Sequence, residues 1–369
     1  MDGADFIIIG GGIAGLSAAA RLAAHGKVIV LEAEEALGYH SSGRSVSFSH
    51  YGIGNAAVRA LTRHSRPLFE NQPEGFCETP VAWLSPSLYF AEEEQLPLLD
   101  ALAENMAGHV ATLEPLDAGA LAALCPVLKT GPGAAVRGIL DPTGLKLDAD
   151  ALLQSYARQV RARGGELRLG RRVAKLERRG EAWVVDDAVS APILIDAAGA
   201  WCDRIAAMAG VTPLGLEPKR RTIITVDPGL PMAGWPFVHS VSGDFYMLEE
   251  AGRLLVSPVD EVADDPCDAQ PDDYDIALAA DRLEHYTNVK VSRIAHRWAG
   301  LRTFTPDRTP TAGFAPDAPG FFWLCGQGGY GLQTGPAMAE AVEALVTDSP
   351  WPFPDVDPAQ IAPERLLAR

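Results

Sequence analysis

Residues Phe6–Glu32 read FIIIGGGIAGLSAAARLAAHGKVIVLE, and this stretch sets the architecture expected of the remaining chain. Phe6, Ile7, Ile8 and Ile9 form an apolar run of the kind that fills a buried parallel strand. Gly10, Gly12 and Gly15 then match G-x-G-x-x-G, with Gly11 as an extra glycine, and Ile13 and Ala14 lie inside the fingerprint. A segment rich in helix formers follows, with Gly26 as its expected stop. A second apolar strand, Val28 to Leu31, ends at Glu32, with Ala33 beside it. In such a unit the first glycine permits a tight turn and the second lets backbone approach a pyrophosphate. The third allows close helix–strand packing, and the helix N-terminus faces the phosphates. Glu32 is expected to accept hydrogen bonds from an adenosine ribose and to repel a 2′-phosphate. The bare fingerprint is weak evidence, but strand, glycines, helix, strand and acid in register predict a dinucleotide site.

A chain of 369 residues suits two domains, or one α/β domain with an insertion. The formal net charge of −17 argues against nucleic acid and anionic membrane surfaces as partners. Cys77, Cys125, Cys202, Cys267 and Cys325 are scattered without C-x-x-C spacing, which disfavours a disulfide scaffold or a cysteine-based zinc site. No metal site is expected. Asp2 and Asp5 stand where a signal peptide needs basic residues, and no stretch is long enough to span a bilayer. These features predict a cytoplasmic protein without integral membrane contact.

Residues 37–55, LGYHSSGRSVSFSHYGIGN, lack a helical or strand period and read as a loop. Loops of this length inside compact domains usually carry function. From the N-cap residue Asn55 a helix follows, and residues 96–124 read as several short helices. Asp141 to Gly144 signals a turn before a helix that ends at Gly164–Gly165. A buried strand at 193 runs into small residues and a helix, a second close backbone approach beside the nucleotide. Residues 213–302 alternate short strands with polar loops, and the acidic stretch 260–275 is expected to be a solvated excursion. FFWLCGQGGYGLQTGPAMAEAVEALV is a strand, a glycine-rich turn and a helix with Pro336 expected in its first turn. The proline-rich end from Ser349 is expected to be a surface tail. Nucleotide-binding pieces thus lie at the start, middle and end of the chain. Residues 1–81, 142–204 and 301–369 are assigned to a Rossmann-type domain. It is interleaved with an α+β domain on a mostly antiparallel sheet, residues 82–141 and 205–300.

This interleaving resembles the FAD-dependent D-amino-acid oxidase/glycine oxidase superfamily, and within it the bacterial FAD-dependent D-arginine dehydrogenases. Besides the fingerprint and Glu32, the resemblance rests on Gly38 to Ser45, Asp141 to Gly144 and Ala197 to Cys202. It continues through Pro218 to Arg221, Trp298 to Arg302 and Gln327 to Gly331, and so covers nearly the whole chain. It implies FAD as cofactor. His40, Ser41, Ser42, Gly43, Arg44 and Ser45 would lie along the phosphates and ring, although Arg44 alternatively caps a helix. Ala198, Gly199 and Trp201 would flank the cofactor, and Val173 would meet the adenine with its backbone. Gly328, Gly329, Tyr330 and Gly331 would pass the isoalloxazine edge, with Gln333 and Thr334 as donors there. Thr303 and Thr305 stand where relatives with covalent flavin carry cysteine, which implies noncovalent FAD.

By the same resemblance Arg221 and Arg302 bind the carboxylate of an amino acid. A guanidinium is a rigid, permanently charged fork suited to that group. The adjacent Arg220 leaves the register of the first arginine open. Tyr246 and Tyr51 match tyrosines that close over the carboxylate, and Ser45 to Asn55 would be a lid hinged at Gly52 and Gly54. The implied reaction is oxidative deamination of D-amino acids, with a quinone or artificial acceptor favoured over O2. D-Arginine dehydrogenases carry a glutamate where this chain has Leu88, and Phe48 and His50 occupy the lid near a pocket histidine. The expected side-chain preference is therefore neutral or apolar. A sarcosine- or glycine-type amine oxidase, a 2-hydroxy-acid dehydrogenase, an NAD enzyme and a nucleotide-binding sensor or subunit without turnover are the alternatives.

Overall fold

Strands Phe6–Ile9, Val28–Leu31, Ile193–Asp196 and Phe321–Cys325 pair in parallel, in the spatial order Val28, Phe6, Ile193, Phe321. The computed structural model describes residues 1–367; the last two residues of the expected tail lie outside them. Glu166–Arg168 and the antiparallel Thr311–Phe314 complete this six-stranded sheet at its two edges. Ile8 and Val30 face a layer containing helices Ile13–Leu22 and Gly331–Thr347, whereas Ile7, Ile9 and Leu31 face Trp183, Ile205 and Trp323. Both faces are covered, so the strands read as unbroken apolar runs rather than alternating ones.

A nine-stranded, mostly antiparallel sheet draws on residues 87–141 and 217–304, with one parallel contact between Phe237–Ser240 and Ser87–Ala91. Its longest ladder joins Glu217–Val226 to Ile294–Phe304. The second of these strands runs continuously through the expected domain boundary at 300/301. Smaller sheets join Phe48–Ser49 and Ala82–Leu84 to Leu145–Leu147, and Asp2–Gly3 to Val189–Ala191.

Several local expectations are corrected. The first helix ends at Leu22, and Gly26 lies beyond it; a Cβ there would stand 2.6 Å from the Asp5 carboxylate. Pro336 is the sixth residue of its helix, not in the first turn, and forgoes the hydrogen bond its missing N–H would make to Leu332. The 260–275 stretch is partly internal, because Asp260 and Asp275 are buried against Arg221 and Arg220. Phe353, Val356 and Ile361 are buried in the main core, so the C-terminal segment is packed rather than loose. Glu114–Asp117, Leu145–Leu147 and Phe237–Ser240 are strands too short or too mixed in composition to show a period.

Candidate FAD and substrate site

One continuous cleft of about 1880 Å³, its open mouth included, runs from Glu32 and Val173 at one end to Arg221, Tyr246 and Arg302 at the other. The turn into the first helix forms its floor. Gly10 has φ +113°, and a Cβ there would lie 2.3 Å from the Ala197 carbonyl oxygen. A Cβ on Gly15 would sit 2.0 Å from the Gly10 carbonyl oxygen, so this position admits only glycine. A Cβ on Gly12 instead has only the Ser42 hydroxyl near it, at 3.2 Å, and projects into the cleft. The three glycines therefore divide into two structural positions and one facing the ligand.

The helix that begins at Ile13 has no side-chain cap on its own N-cap residue, Gly12. The Ile13 N–H donates to Ser42 Oγ at 3.0 Å, which draws the 38–45 turn over the helix end. Glu32 accepts from Gly11 N–H at 2.6 Å and from Glu34 N–H at 2.9 Å. A carboxylate has about four lone-pair sites, so two remain for ribose hydroxyls. Val173, Ala33 and Arg172 line the same end, and Ala198, Gly199 and Trp201 form the opposite wall. His40 is held between Glu34, at 3.1 Å, and the Trp201 ring. Arg44 lines the cleft but is committed to protein: it donates to the Ala269 and Ala299 carbonyls and pairs with Asp268. These acceptors belong to a loop and a strand, so Arg44 ties those segments together rather than capping a helix.

At the far end the Gly326–Gly331 turn is pinned to the strand carrying Arg302, with Gly328 N–H donating to the Thr303 carbonyl at 2.8 Å. The helix beginning at Gly331 lacks a side-chain cap, and Gly331 and Leu332 line the cleft, so its positive end faces the cavity. This arrangement fits an isoalloxazine: unpaired N–H groups at one edge and the small residues Gly328 and Gly329 along the face. Gln333 and Thr334 do not supply those donors. Gln333 bridges His50 N–H and Thr62 Oγ1, and Thr334 Oγ1 donates to the Tyr330 carbonyl; both are buried away from the cleft. Tyr330 is likewise turned inward, its hydroxyl donating to the Arg308 carbonyl.

Arg221 and Arg302 meet by strand register. Arg221 is opposite Gly300 and Lys219 is opposite Arg302, so the two arginines are diagonal neighbours on one face. Burial, and then the nearby Arg302, lowers the Arg221 pKa to about 10, with Tyr246, Asp260 and Glu261 acting in the opposite direction. Arg302 has no hydrogen-bonding partner among the described residues, and the buried Tyr246 hydroxyl is also unpartnered. Two cationic forks and a free hydroxyl lie together at this end, a donor set that matches the chemistry of a carboxylate. Val46, Ile223 and Tyr246 line this end, backed by Phe48, Phe237 and Leu248.

Other expected pocket residues lie elsewhere. Tyr51 is buried in a separate cluster, stacked on His109 and under the Arg66 guanidinium. Leu88 points to the opposite face of the large sheet, among Phe90, Val238 and Met247. Residues 46–51 are buried and partly paired with Leu145–Lys146, which does not describe an open flap. His50 sits behind the pocket with Nδ1 2.5 Å from the Tyr89 hydroxyl. Burial and the Arg302 charge lower its pKa to about 3. Glu261 beside Arg221, and Phe237 in the aromatic wall, carry no signal in the sequence.

A model described as FAD dependent oxidoreductase matches residues 5–345. Glycine oxidase of Pseudomonas putida is 27% identical over 376 residues, covering 98% of each protein. FAD-dependent oxidoreductase domain-containing protein 1 of Xenopus laevis is 29% identical over 181 residues, 43% of this chain and 36% of that protein. The alignment thus spans about a third of the length of that relative. Among solved structures, dithionite-reduced L-alpha-glycerophosphate oxidase from Mycoplasma pneumoniae with FAD bound superposes with a TM-score of 0.85. It is 19% identical, over 94% of this chain and 95% of that one, a likeness of fold. With the family model spanning nearly the whole chain and the cleft shaped for its cofactor, this protein belongs to the FAD dependent oxidoreductase family.

Proposed function

We propose that this protein deaminates α-amino acids oxidatively, acting on D-enantiomers with neutral or apolar side chains. The observation that carries this reading is the carboxylate receptor at the flavin end of the cleft: Arg221, Arg302 and the unpartnered Tyr246 hydroxyl. Arg302 and Arg221 bind and orient the substrate carboxylate, and Tyr246 donates to the same group. That fixes Cα between the arginine ladder and the Gly328–Gly329 turn, where positioning supplies much of the rate. FAD, held noncovalently, supplies the acceptor for the hydride leaving Cα when bound. The substrate also loses a proton from nitrogen; the imino acid then adds water and releases ammonia, leaving a 2-oxo acid. His50 is neutral at physiological pH, so it adds no charge beside Arg302. The apolar wall of Val46, Ile223, Phe48 and Phe237 favours a side chain without charge.

Anaerobic bleaching of the flavin with D-Leu, D-Met, D-Phe and D-Arg, their L-forms, glycine, sarcosine and D-2-hydroxyglutarate tests the reading. Bleaching led by the neutral D-amino acids supports it. D-Arg far ahead overturns the side-chain preference, and bleaching only by sarcosine, glycine or the hydroxy acid overturns the substrate class. Subsequent exposure to air distinguishes oxygen from a quinone or artificial acceptor.

A further inference from the structure

Arg221 reaches the cleft with one edge of its guanidinium already occupied. Its Nε donates to the Asp260 carbonyl at 2.8 Å, and its Nη2 lies 3.4 Å from Glu261 Oε1. Nε and Nη2 form the side edge of the planar fork. The end edge, Nη1 with the second Nη2 hydrogen, has no partner among the described residues. The fork is thus gripped on one edge and open on the other.

The grip is itself braced from both sides. The Asp260 carboxylate accepts from Thr222 N–H at 2.7 Å and from Thr222 Oγ1 at 3.0 Å, which locks it to the strand carrying Arg221. Val259, immediately before it, holds φ +53°, a left-handed conformation unusual for a β-branched residue. That inversion brings the Asp260 carbonyl under Nε, and strain of this kind persists where surrounding contacts over-determine it. Glu261 is in turn paired with Arg308, whose guanidinium lies 4.3 Å from the centroid of the Phe304 ring. Arg308 comes from the turn after the strand that carries Arg302, so the brace links the two arginine-bearing strands on their solvent side.

Resting on the carboxylate reading above, we propose that Glu261 is a positioning residue. By holding the side edge of Arg221, with Arg308 behind it, Glu261 turns the end edge toward the substrate carboxylate. Glu261 does not line the cleft, so it acts through Arg221 rather than on the substrate. An ungripped buried arginine has several rotamers, and each orientation away from the cavity lowers the fraction of protein ready to bind.

The test uses the flavin-loaded protein and benzoate, a carboxylate that perturbs the flavin spectrum without being oxidised, alongside steady-state kinetics with the best amino acid. Glu261→Gln is expected to raise both the benzoate Kd and the KM about tenfold, with kcat changed less than about twofold. Glu261→Asp restores part of the loss, and Arg308→Met raises both constants about threefold with the same split. Unchanged constants in Glu261→Gln overturn the positioning role. Tighter benzoate binding also overturns it, since Glu261 would then be a competitor for Arg221. A fall in kcat with KM intact in both Glu261→Gln and Arg308→Met overturns it as well. Wild-type protein that binds no carboxylate removes the receptor reading itself; binding in the wild type matched by the variants removes only the role of Glu261.

Discussion

Arg220 and Arg221 are consecutive on one strand, yet their guanidiniums leave it in opposite directions. Arg220 pairs with Asp275 at 2.9 Å and Asp264 at 3.3 Å on the outer layer, while Arg221 lines the cleft. Alternation along the strand turns one arginine to outer ion pairs and the other to the cleft. Arg302→Met and Arg221→Met should each reduce kcat/KM at least about 100-fold while leaving the protein yellow. Arg220→Met should spare kcat/KM and cost about 2 kcal/mol of stability by stranding Asp275. Kinetics and urea melts on the three variants separate the roles, and full activity in Arg302→Met removes that residue from the receptor.

The Tyr246 hydroxyl is buried without a partner. Removing an unsatisfied polar group is neutral or stabilising, so Tyr246→Phe should keep its melting temperature or gain up to about 1 kcal/mol. Its KM should nonetheless rise about fivefold, because the lost donor matters only when a carboxylate arrives. A lowered melting temperature with unchanged KM would assign the hydroxyl a structural role.

The glycine turn predicts two different failures. Gly15→Ala forces a Cβ against the Gly10 carbonyl and should prevent folding. Gly12→Ala meets only the Ser42 hydroxyl and should give a folded, colourless protein. Circular dichroism and flavin absorbance on both variants check this, and a yellow Gly12→Ala protein would mean the phosphates pass elsewhere.

Asp196 is fully buried, and burial pushes its carboxyl pKa up to about 8, with one oxygen unpartnered. The unfolded carboxyl ionises near 3.8. Between these values the folded state holds one proton more, so stability is full below the lower value and falls as pH rises toward 8. Asp196→Asn should therefore raise the urea midpoint at pH 8 and change it little at pH 4. A variant less stable than wild type at pH 8 contradicts this.

Acid precipitation should leave FAD in the supernatant. Thr303 lines the cleft and Thr305 Oγ1 donates to the Thr309 carbonyl, but an unactivated hydroxyl is a far weaker nucleophile than a cysteine thiolate, so neither is expected to bond the ring. Flavin absorbance retained in the washed pellet would show a covalent bond formed elsewhere.

The parallel sheet and its glycine turn were legible because the apolar runs are continuous and Gly10 and Gly15 sit where only glycine fits. Arg221, Arg302 and Tyr246 were legible through their sequence blocks. Tyr51 and Leu88 were not, because period-two alternation names two faces without saying which one meets the cavity. Gln333 and Thr334 share a block with Gly328 and Gly331, but helix rotation carries their side chains to Thr62 and Tyr330. The acidic stretch looked solvated because its partners lie far off in sequence, 39 residues from Asp260 to Arg221 and 55 from Asp275 to Arg220.

The ladder between Glu217–Val226 and Ile294–Phe304 sets the spacing of Arg221 and Arg302 through backbone hydrogen bonds rather than through side-chain packing. A slip of one residue between the two strands would put the guanidiniums on opposite faces, so their separation cannot drift by small mutational steps. Walls such as Ile223 and Phe48 can therefore change on this ribbon without altering the spacing of the two guanidiniums, which acts as a fixed ruler.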